Sequence, residues 1–389
     1  MLVRRLSGRE RADAAVISMV AFHARADGET VLRRRAEALK SVSDDWGAFS
    51  GDGTLAAHVV RYPYEAHFDG GILPVNGIGG VSTLPEFRES GAIRAIFEKL
   101  LPASYAAGDV LSTLYPFSHT FYRKFGYETV TYKSEYRFSP LLLRQYRFGG
   151  WAKPWKKGDP VSSMTSLYEA FAGRLTLAFR RSAEMTEEFL AGADLEKRRF
   201  VYLLGEGSET LAYLIFRDVY RPEAAELAVE DLAWSGRRGF LAVLGFLGRF
   251  SADYGTIVLP LPTDLDLTPF LSDPYGAERR FPADHMIRLI NAGKLLSLLR
   301  KPEDARFAVR VLDPLIPEND GTFLVEGGTA ARTDCEPDIV LPQSVLALLS
   351  VGAVSPYGAS LLPGVEIRRE DTGFAACFPE KARYLVDRF

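Results

Sequence analysis

Residues 80–97 read "GVSTLPEFRESGAIRAIF". A β-rich run ends at Val81-Ser82-Thr83, and Pro85 breaks it. A short loop with Arg88, Ser90 and Gly91 follows. Ile93, Ile96, Phe97, Leu100 and Leu101 then recur at i, i+3, i+4, i+7 and i+8, which predicts a helix. A strand that feeds a helix through such a loop offers unpaired N–H groups and the positive end of the helix dipole, an anion site in outline. Gly91 would let a phosphate come close to the backbone, and Arg88 adds a planar donor fork suited to phosphate. An ordinary strand–loop–helix turn uses the same residue types, so the junction alone leaves both readings open.

The surroundings of the junction set the fold class. "MLVRRL" predicts a strand running into a helix. From Trp46 to Leu84, β-rich pieces separated by Gly-Asp-Gly, Asp-Gly-Gly and Asn-Gly predict an antiparallel meander. After the Ile93–Leu101 helix, "DVLSTLY" from Asp109 predicts a strand. Ser118 is placed to cap a short helix through Phe125, with Gly126 at its C′ position and Tyr127 folding back. The same order recurs more weakly downstream. "SLYEAFAGRLTLAFRRSAEMTEEFL" reads as helix, "FVYLLGEGSETLAYLIFRD" as a hairpin, "ELAVEDLAW" as a strand entering a Gly239 helix, and "TIVLPLP" as a strand. From about Phe281 the texture changes: "MIRLINAGKLLSLL" reads as an amphipathic helix, 307–333 as two strands, "LPQSVLALLSVG" as a helix stopped by Gly352, and "GFAACF" as a last strand. The expectation is an α+β (mixed α/β) chain of three domains, 1–140, 141–282 and 283–389.

Composition narrows the partners. A chain of 389 residues exceeds one compact core. A formal net charge of −3 argues against nucleic acid or an anionic membrane as the main partner. Two cysteines, Cys335 and Cys377, make no disulfide framework, so a reducing cytoplasm is the expectation. "ADAAVISMVAF" is too short and too acidic for a signal peptide. "GFLAVLGFLGRF" from Gly239 falls below the ~20 residues of a membrane span. Histidines 23, 58, 67 and 285 are scattered, and no spacing of His, Cys, Asp or Glu suggests a metal.

The order of elements, with "RESG" at 88–91 and "YRKFGY" at 122–127, resembles the GNAT (GCN5-related) N-acetyltransferases. Their loop reads Arg/Gln-x-x-Gly-x-Gly/Ala. Arg88 and Gly91 match, Ile93 does not, and Glu89 is acidic where the family prefers basic residues. Tyr122, Gly126 and Tyr127 match its Tyr-x-x-x-Gly-Tyr/Phe segment. Two such units before a C-terminal α+β domain look like the Eis (enhanced intracellular survival) acetyltransferases, whose loop often reads Arg-x-x-Gly-x-Leu-Arg. "MIRLINAGKLL" is similar to that family's link into its last domain, and "VLALLSVGAVSPYGASLLPGVEI" to a sterol-carrier-like helix. The family typically ends on Phe, as here at Phe389.

The resemblance implies an acetyl-CoA-dependent N-acetyltransferase for a primary amine of a small cationic substrate, aminoglycoside-like or lysine-like, with no metal. It lays the pantetheine arm along Val81 and Thr83, with Ser82 between them, and the pyrophosphate over Arg88, Ser90, Gly91 and Ala92, with Glu89 in the same loop. A backbone N–H near Val81, at the splayed end of its strand, would polarise the thioester carbonyl. Tyr122 would be the general acid for the leaving thiolate, since tyrosine holds its proton at neutral pH. The carboxylate of Phe389 would be the base, His119 being a tempting neighbour three residues before Tyr122. Phe121, Phe125 and Tyr127 are assigned to packing. The second unit, with its shorter loop "EDLAWSGRRGFLAVL" and no tyrosine-glycine segment, would wall the substrate cleft. A homo-oligomer is implied too, hexameric as in Eis-like proteins. The competing expectation is a non-catalytic acyl-CoA- or lipid-binding protein on a degenerate acetyltransferase scaffold, which Glu89 and Ile93 favour. A longer acyl-CoA donor is the other enzymatic alternative.

Overall fold

The computed structural model describes residues 1–23, 28–40, 43–190, 197–220, 225–370 and 372–387. The first unit runs β1 (Leu2–Arg5), α1 (Gly8–Ala21), α2 (Gly28–Lys40), β2 (Asp44–Phe49), β3 (Leu55–Phe68), β4 (Gly71–Thr83), α3 (Ala92–Ala106), β5 (Leu111–Leu114), α4 (His119–Arg123) and β6 (Glu128–Val130). The meander from β2 to β4 is antiparallel, and β5 then joins β4 in parallel across the α3 crossover. Alternation along β3 sorts the layers. Ala57 and Val59 belong to the core under α3, whereas His58 lies on the opposite face, which α1 covers.

The second unit follows with β7 (Ser134–Phe138), β8 (Trp151–Pro154), α5 (Ser162–Ala172), α6 (Ala183–Leu190), β9 (Arg199–Glu206), β10 (Glu209–Val219), β11 (Glu226–Trp234), α7 (Gly236–Gly248), β12 (Thr256–Leu261) and β13 (Ala277–Arg280). It repeats the plan: an antiparallel β9–β10–β11 run, a helix, and β12 parallel to β11. The last part comprises β14 (His285–Leu289), α8 (Ala292–Leu298), β15 (Phe307–Leu312), β16 (Gly321–Glu326), β17 (Thr329–Thr333), β18 (Ile339–Pro342), α9 (Gln343–Ser350), α10 (Pro356–Ser360) and β19 (Glu366–Ile367).

Several elements depart from expectation. Asn76-Gly77 is not a turn but lies inside β4, because Asn76 is drawn into a buried network: its Nδ2 donates to Asp109 at 2.7 Å and its Oδ1 accepts from Ser112 at 2.5 Å. The long helix expected over 166–190 is two helices with an extended segment between them, and that segment bridges to β3 at Ala66–Phe179. Two strands expected over 307–333 are three, and "GFAACF" forms a 3-10 turn at Ala375–Cys377. The helix expected over 286–299 is split: its second half is α8, but its first half is β14. Its residues are buried on both faces because it slots between β5 and β6, pairing Met286 with Leu114 and His285 with Val130. The first seven-stranded sheet is therefore ordered β1-β2-β3-β4-β5-β14-β6, so one of its strands comes from beyond residue 283; likewise β7, before residue 140, belongs to the second sheet.

The third part also grips the first just beyond α4. Arg288, fully buried, pairs with Asp313 at 2.7 Å and donates Nε–H to the Phe125 carbonyl at 2.7 Å. Gln343 Nε2 donates to the Gly126 carbonyl at 2.5 Å, while its Oε1 accepts from Leu289 N at 2.9 Å.

Candidate active site

The site begins with a defect in a ladder. Going along β3 from His58 to Val60, the partner on β4 changes from Ser82 to Gly79, so Gly80 and Val81 together face Val59. This β-bulge requires glycine: Gly80 has φ +59°, and a Cβ there would come within 2.9 Å of Val60 Cγ2. On the other edge of β4, pairing with β5 stops at Ile78–Leu114, while β4 runs on to Thr83. The two strands therefore part from Gly79 onward, earlier than the expected Val81. The β5-facing edge of Gly79–Thr83 has no strand partner among the described residues.

The parting strands lead to the start of α3. Gly91, at φ +82°, is the N-cap, and a Cβ there would meet nothing within 4 Å. The first intrahelical bond runs from Ala95 N to the Gly91 carbonyl at 3.0 Å, so the N–H groups of Ala92, Ile93 and Arg94 have no intrahelical acceptor. Arg88 is exposed and has no ion-pair partner among the described residues. This is open backbone with a free guanidinium, and the residues fit a phosphate-bearing co-substrate. Two expected loop contacts look different in detail. Ser90 turns its hydroxyl and its N–H onto the Phe87 carbonyl, at 2.6 and 3.3 Å, so it shapes the turn rather than presenting a donor outward. Glu89 is exposed at φ +64°, an unfavoured backbone for a side chain with a Cβ.

Along β4 the side chains divide. Val81 packs against the α3 core, whereas Ser82 is buried on the α1 side, where its Oγ donates to the Gly80 carbonyl at 2.9 Å. Only the backbone of Ser82 can line the open edge. Thr83 pairs with Ala57 and ends the strand.

Tyr122 comes from α4, which Ser118 caps by accepting Phe121 N–H at 3.3 Å. The helix closes at Arg123, two residues before the expected end. Tyr122 shares one core with Ile78 and Leu114, at the fork of the strands, and meets Phe97 edge-on at 6.4 Å. Burial raises its hydroxyl well above the ordinary tyrosine value, with Tyr127 adding to the rise. The hydroxyl takes no hydrogen-bond partner among the described residues. Its neighbours are packing, as expected: Phe125 stacks on Phe97 at 4.3 Å, Phe121 lies against Phe125 and Tyr122, and Tyr127 bonds Ser112 at 2.6 Å. His119 is spent on the Ala283 carbonyl at 2.9 Å.

Phe389 lies outside the described residues. The chain just before it is held at the fork: Tyr115, directly after β5, donates its hydroxyl to the Asp387 carbonyl at 2.7 Å. The Asp387 carboxylate accepts from Arg181 Nε at 2.7 Å, and Arg181 Nη1 donates to Asp231 at 2.6 Å under the ring of Tyr168. In the second unit β11 and β12 part after Ala228–Val258, as β4 and β5 do. Here Val386 lines the opening with Ala228, Val229 and Val258, and Tyr384 joins the core. The tail thus lines the wedge of the second unit. Arg238 at the start of α7 is already paired with Glu206 and Glu209.

The sequence reading also passed over a buried cluster. His58 Nε2 lies 2.7 Å from Asp45 Oδ1, and its Nδ1 3.5 Å from Ser18 Oγ, which is 3.3 Å from Ser82 Oγ. Burial pushes the Asp45 carboxyl up, but hydrogen bonds from His58 and Ser43 outweigh it and hold the group below its ordinary value. Three residues from three elements leave no spacing to read; the one local signal was a histidine in the middle of an apolar strand. Among the described residues, no group of three His, Cys, Asp or Glu side chains is placed to hold a metal ion, and no helix is long and apolar enough to cross a membrane.

Residues 3–130 match the acetyltransferase (GNAT) domain family, and residues 293–386 the sterol carrier protein domain family. No protein of curated function matches the chain significantly in sequence. Solved structures similar over the whole chain include a conserved protein of unknown function from Enterococcus faecalis V583, described as a probable N-acyltransferase (21% identity, TM-score 0.87, covering 100% of this chain and 99% of that one). A GCN5-related N-acetyltransferase from Anabaena variabilis ATCC 29413 (19%, TM-score 0.87) and Eis1 from Mycobacterium abscessus (20%, TM-score 0.83) are each covered over 100% of both chains. Residues 3–130 therefore carry a GNAT acetyltransferase domain and residues 293–386 a sterol carrier protein domain, on a fold shared with Eis1 over the whole chain.

Proposed function

We propose that the protein is an acetyl-CoA-dependent N-acetyltransferase that acetylates a primary amine of a small cationic substrate by direct attack on the thioester. The observation that carries this is the fork between β4 and β5, which opens at Ile78–Leu114 toward the free N-terminus of α3. Acetyl-CoA supplies an activated acetyl group. The α3 N–H groups and Arg88 hold its phosphates, and the open edge of Gly79–Thr83 offers N–H groups to the carbonyl oxygen as charge develops. Tyr122, whose proton burial secures, passes that proton to the leaving sulfur. The amine approaches from the α1 face, where Tyr62 and Tyr64 of β3 stack at 6.4 Å and Tyr64 lies 4.5 Å from Phe179 of the second unit. Holding both reactants in this geometry is itself a large part of the catalysis.

The test is a thermal-shift titration with acetyl-CoA, followed by a thiol-release assay with kanamycin, L-lysine methyl ester and related amines. A ligand at ~100 times its Kd adds about 2.7 kcal/mol to the folded state and raises the melting temperature. Thiol release that depends on an amine is expected. An absence of both responses rejects the proposal. Glu89 in the anion loop favours the other reading, a non-catalytic acyl-CoA- or lipid-binding protein. A thermal shift without thiol release from any amine would support that one.

A further inference from the structure

We infer that Ser18, His58 and Asp45 form a proton relay on the acceptor side of the β4 bulge. Ser18 would meet the attacking amine, with His58 and Asp45 as positioning residues behind it. The inference rests on the acetyltransferase reading above and deepens it.

Three observations carry it. First, the cluster lies at the bulge itself: a Cβ on Gly80 would sit 3.5 Å from His58 Cε1 and 3.7 Å from Nδ1, so the imidazole edge packs on the backbone that opens the fork. Second, the cluster is graded from inside to outside. Asp45 and His58 are buried, whereas Ser18 on α1 is half-buried. Third, the polarity is that of a relay. With Nε2–H donated to the Asp45 carboxylate, the lone pair on Nδ1 is directed to the Ser18 hydroxyl. That 3.5 Å separation is long, as hydrogen bonds of a relay often are before substrate tightens them.

The charged and titratable groups around the imidazole are few. Asp45 faces it from β2. Arg11 of α1 lies 3.6 Å from the Asp45 carboxylate. Tyr62 lies on the same strand, and Ser82 of β4 contributes only a hydroxyl. Histidine is the side chain suited to exchange a proton near neutral pH.

The step balances as follows. The amine nitrogen forms a bond to the acetyl carbonyl carbon, and the carbon–sulfur bond breaks with its electron pair on sulfur, which takes the Tyr122 proton. The surplus proton on nitrogen passes to Ser18 Oγ as the Ser18 proton moves to His58 Nδ1, leaving an imidazolium against Asp45. Solvent carries the proton that His58 gained back to Tyr122, so no net proton remains on the protein.

The experiment measures kcat and kcat/KM for kanamycin and L-lysine methyl ester between about pH 6 and pH 9. It compares wild type with His58→Gln, His58→Ala and Ser18→Ala, with acetyl-CoA affinity determined by calorimetric titration. His58→Gln is expected to lower kcat by ~10²-fold and to flatten the acidic limb of the profile, with acetyl-CoA affinity held within about twofold. Ser18→Ala, at a half-buried helix position that tolerates alanine, should flatten the same limb. Added imidazole should recover part of the rate in His58→Ala. Wild-type kcat and an intact limb in both His58→Gln and Ser18→Ala would overturn the relay while leaving the acetyltransferase reading standing. A loss of rate in His58→Gln with an unchanged limb would assign His58 to stability and overturn the relay as well. A wild type that binds acetyl-CoA yet releases no thiol with these amines would overturn both.

Discussion

Replacing Tyr122 with phenylalanine removes one oxygen atom from the site and nothing else. The ring sits among Phe97, Phe117, Phe121 and Tyr127, with centroids 5.2 to 6.4 Å away, and each of these contacts survives the substitution. The hydroxyl has no hydrogen-bond partner among the described residues, so its loss orphans no buried donor or acceptor. Stability should therefore move by less than about 1 kcal/mol. Tyr122→Ala, by contrast, would empty a core position and cost roughly 3–5 kcal/mol. If the hydroxyl is the general acid, its removal costs ~10²–10⁴-fold in turnover, equivalent to about 3–5 kcal/mol of barrier. Thiol release at saturating amine and acetyl-CoA measures the first quantity, urea denaturation the second, and calorimetric titration the affinity for acetyl-CoA. The expected pattern is a large loss of kcat with unchanged urea midpoint and unchanged affinity. Turnover within about threefold of wild type would remove Tyr122 from the chemistry and leave it a member of the core.

Two further outcomes follow from buried charge and burial. Arg288→Met leaves Asp313 buried without its cation and strands the Phe125 carbonyl, so it should lower unfolding stability by roughly 3–5 kcal/mol in urea melts; a cost under about 1 kcal/mol would show that the grip on the turn after α4 is not made by this pair. Burial raises the hydroxyls of Tyr64, Tyr122, Tyr127, Tyr132, Tyr168, Tyr213 and Tyr384 above their ordinary value. Above about pH 10 the unfolded chain therefore releases protons that the folded chain keeps, and stability falls as pH rises, by up to ~1.4 kcal/mol per tyrosine per pH unit. A urea midpoint that stays level from about pH 9 to pH 11 would contradict this assignment.

Much of this architecture was legible because local signals agreed with the tertiary outcome. The α3 periodicity, the Ser118 cap and Gly91 each say locally what the fold then uses. Where the reading missed, the deciding partner was distant. Asn76-Gly77 has turn chemistry, but Asp109 and Ser112 draw the asparagine into a sheet interior. Met286–Leu289 has a helical spacing of apolar residues, yet the vacancy between β5 and β6 makes it a strand. Among the candidate site residues, Arg88 and Gly91 stood out by local pattern and Tyr122 by its likeness to a family segment, because each stands next to the element that carries it. His58, Asp45 and Ser18 could not, since a β-bulge and a helix packed across a sheet bring them together. Ser90 was placed under the pyrophosphate by resemblance, and its hydroxyl turns out to be engaged by the Phe87 carbonyl.

The strand borrowed by the first sheet has a consequence for how the protein is made. Thr113 of β5 bonds the Met286 carbonyl across a separation of 173 residues. At the usual pace of ~5–20 residues per second, a ribosome needs on the order of ten seconds or more to supply that strand after β5 has emerged. For that interval the nascent acetyltransferase domain has a gap between β5 and β6, with two open strand edges of the kind that recruit wrong partners. Its completion and the docking of the following domain are then a single event. The piece that carries the β4–β5 fork is accordingly not a cassette that could be cut out at residue 130 or transplanted, since the strand that closes its sheet is encoded far downstream.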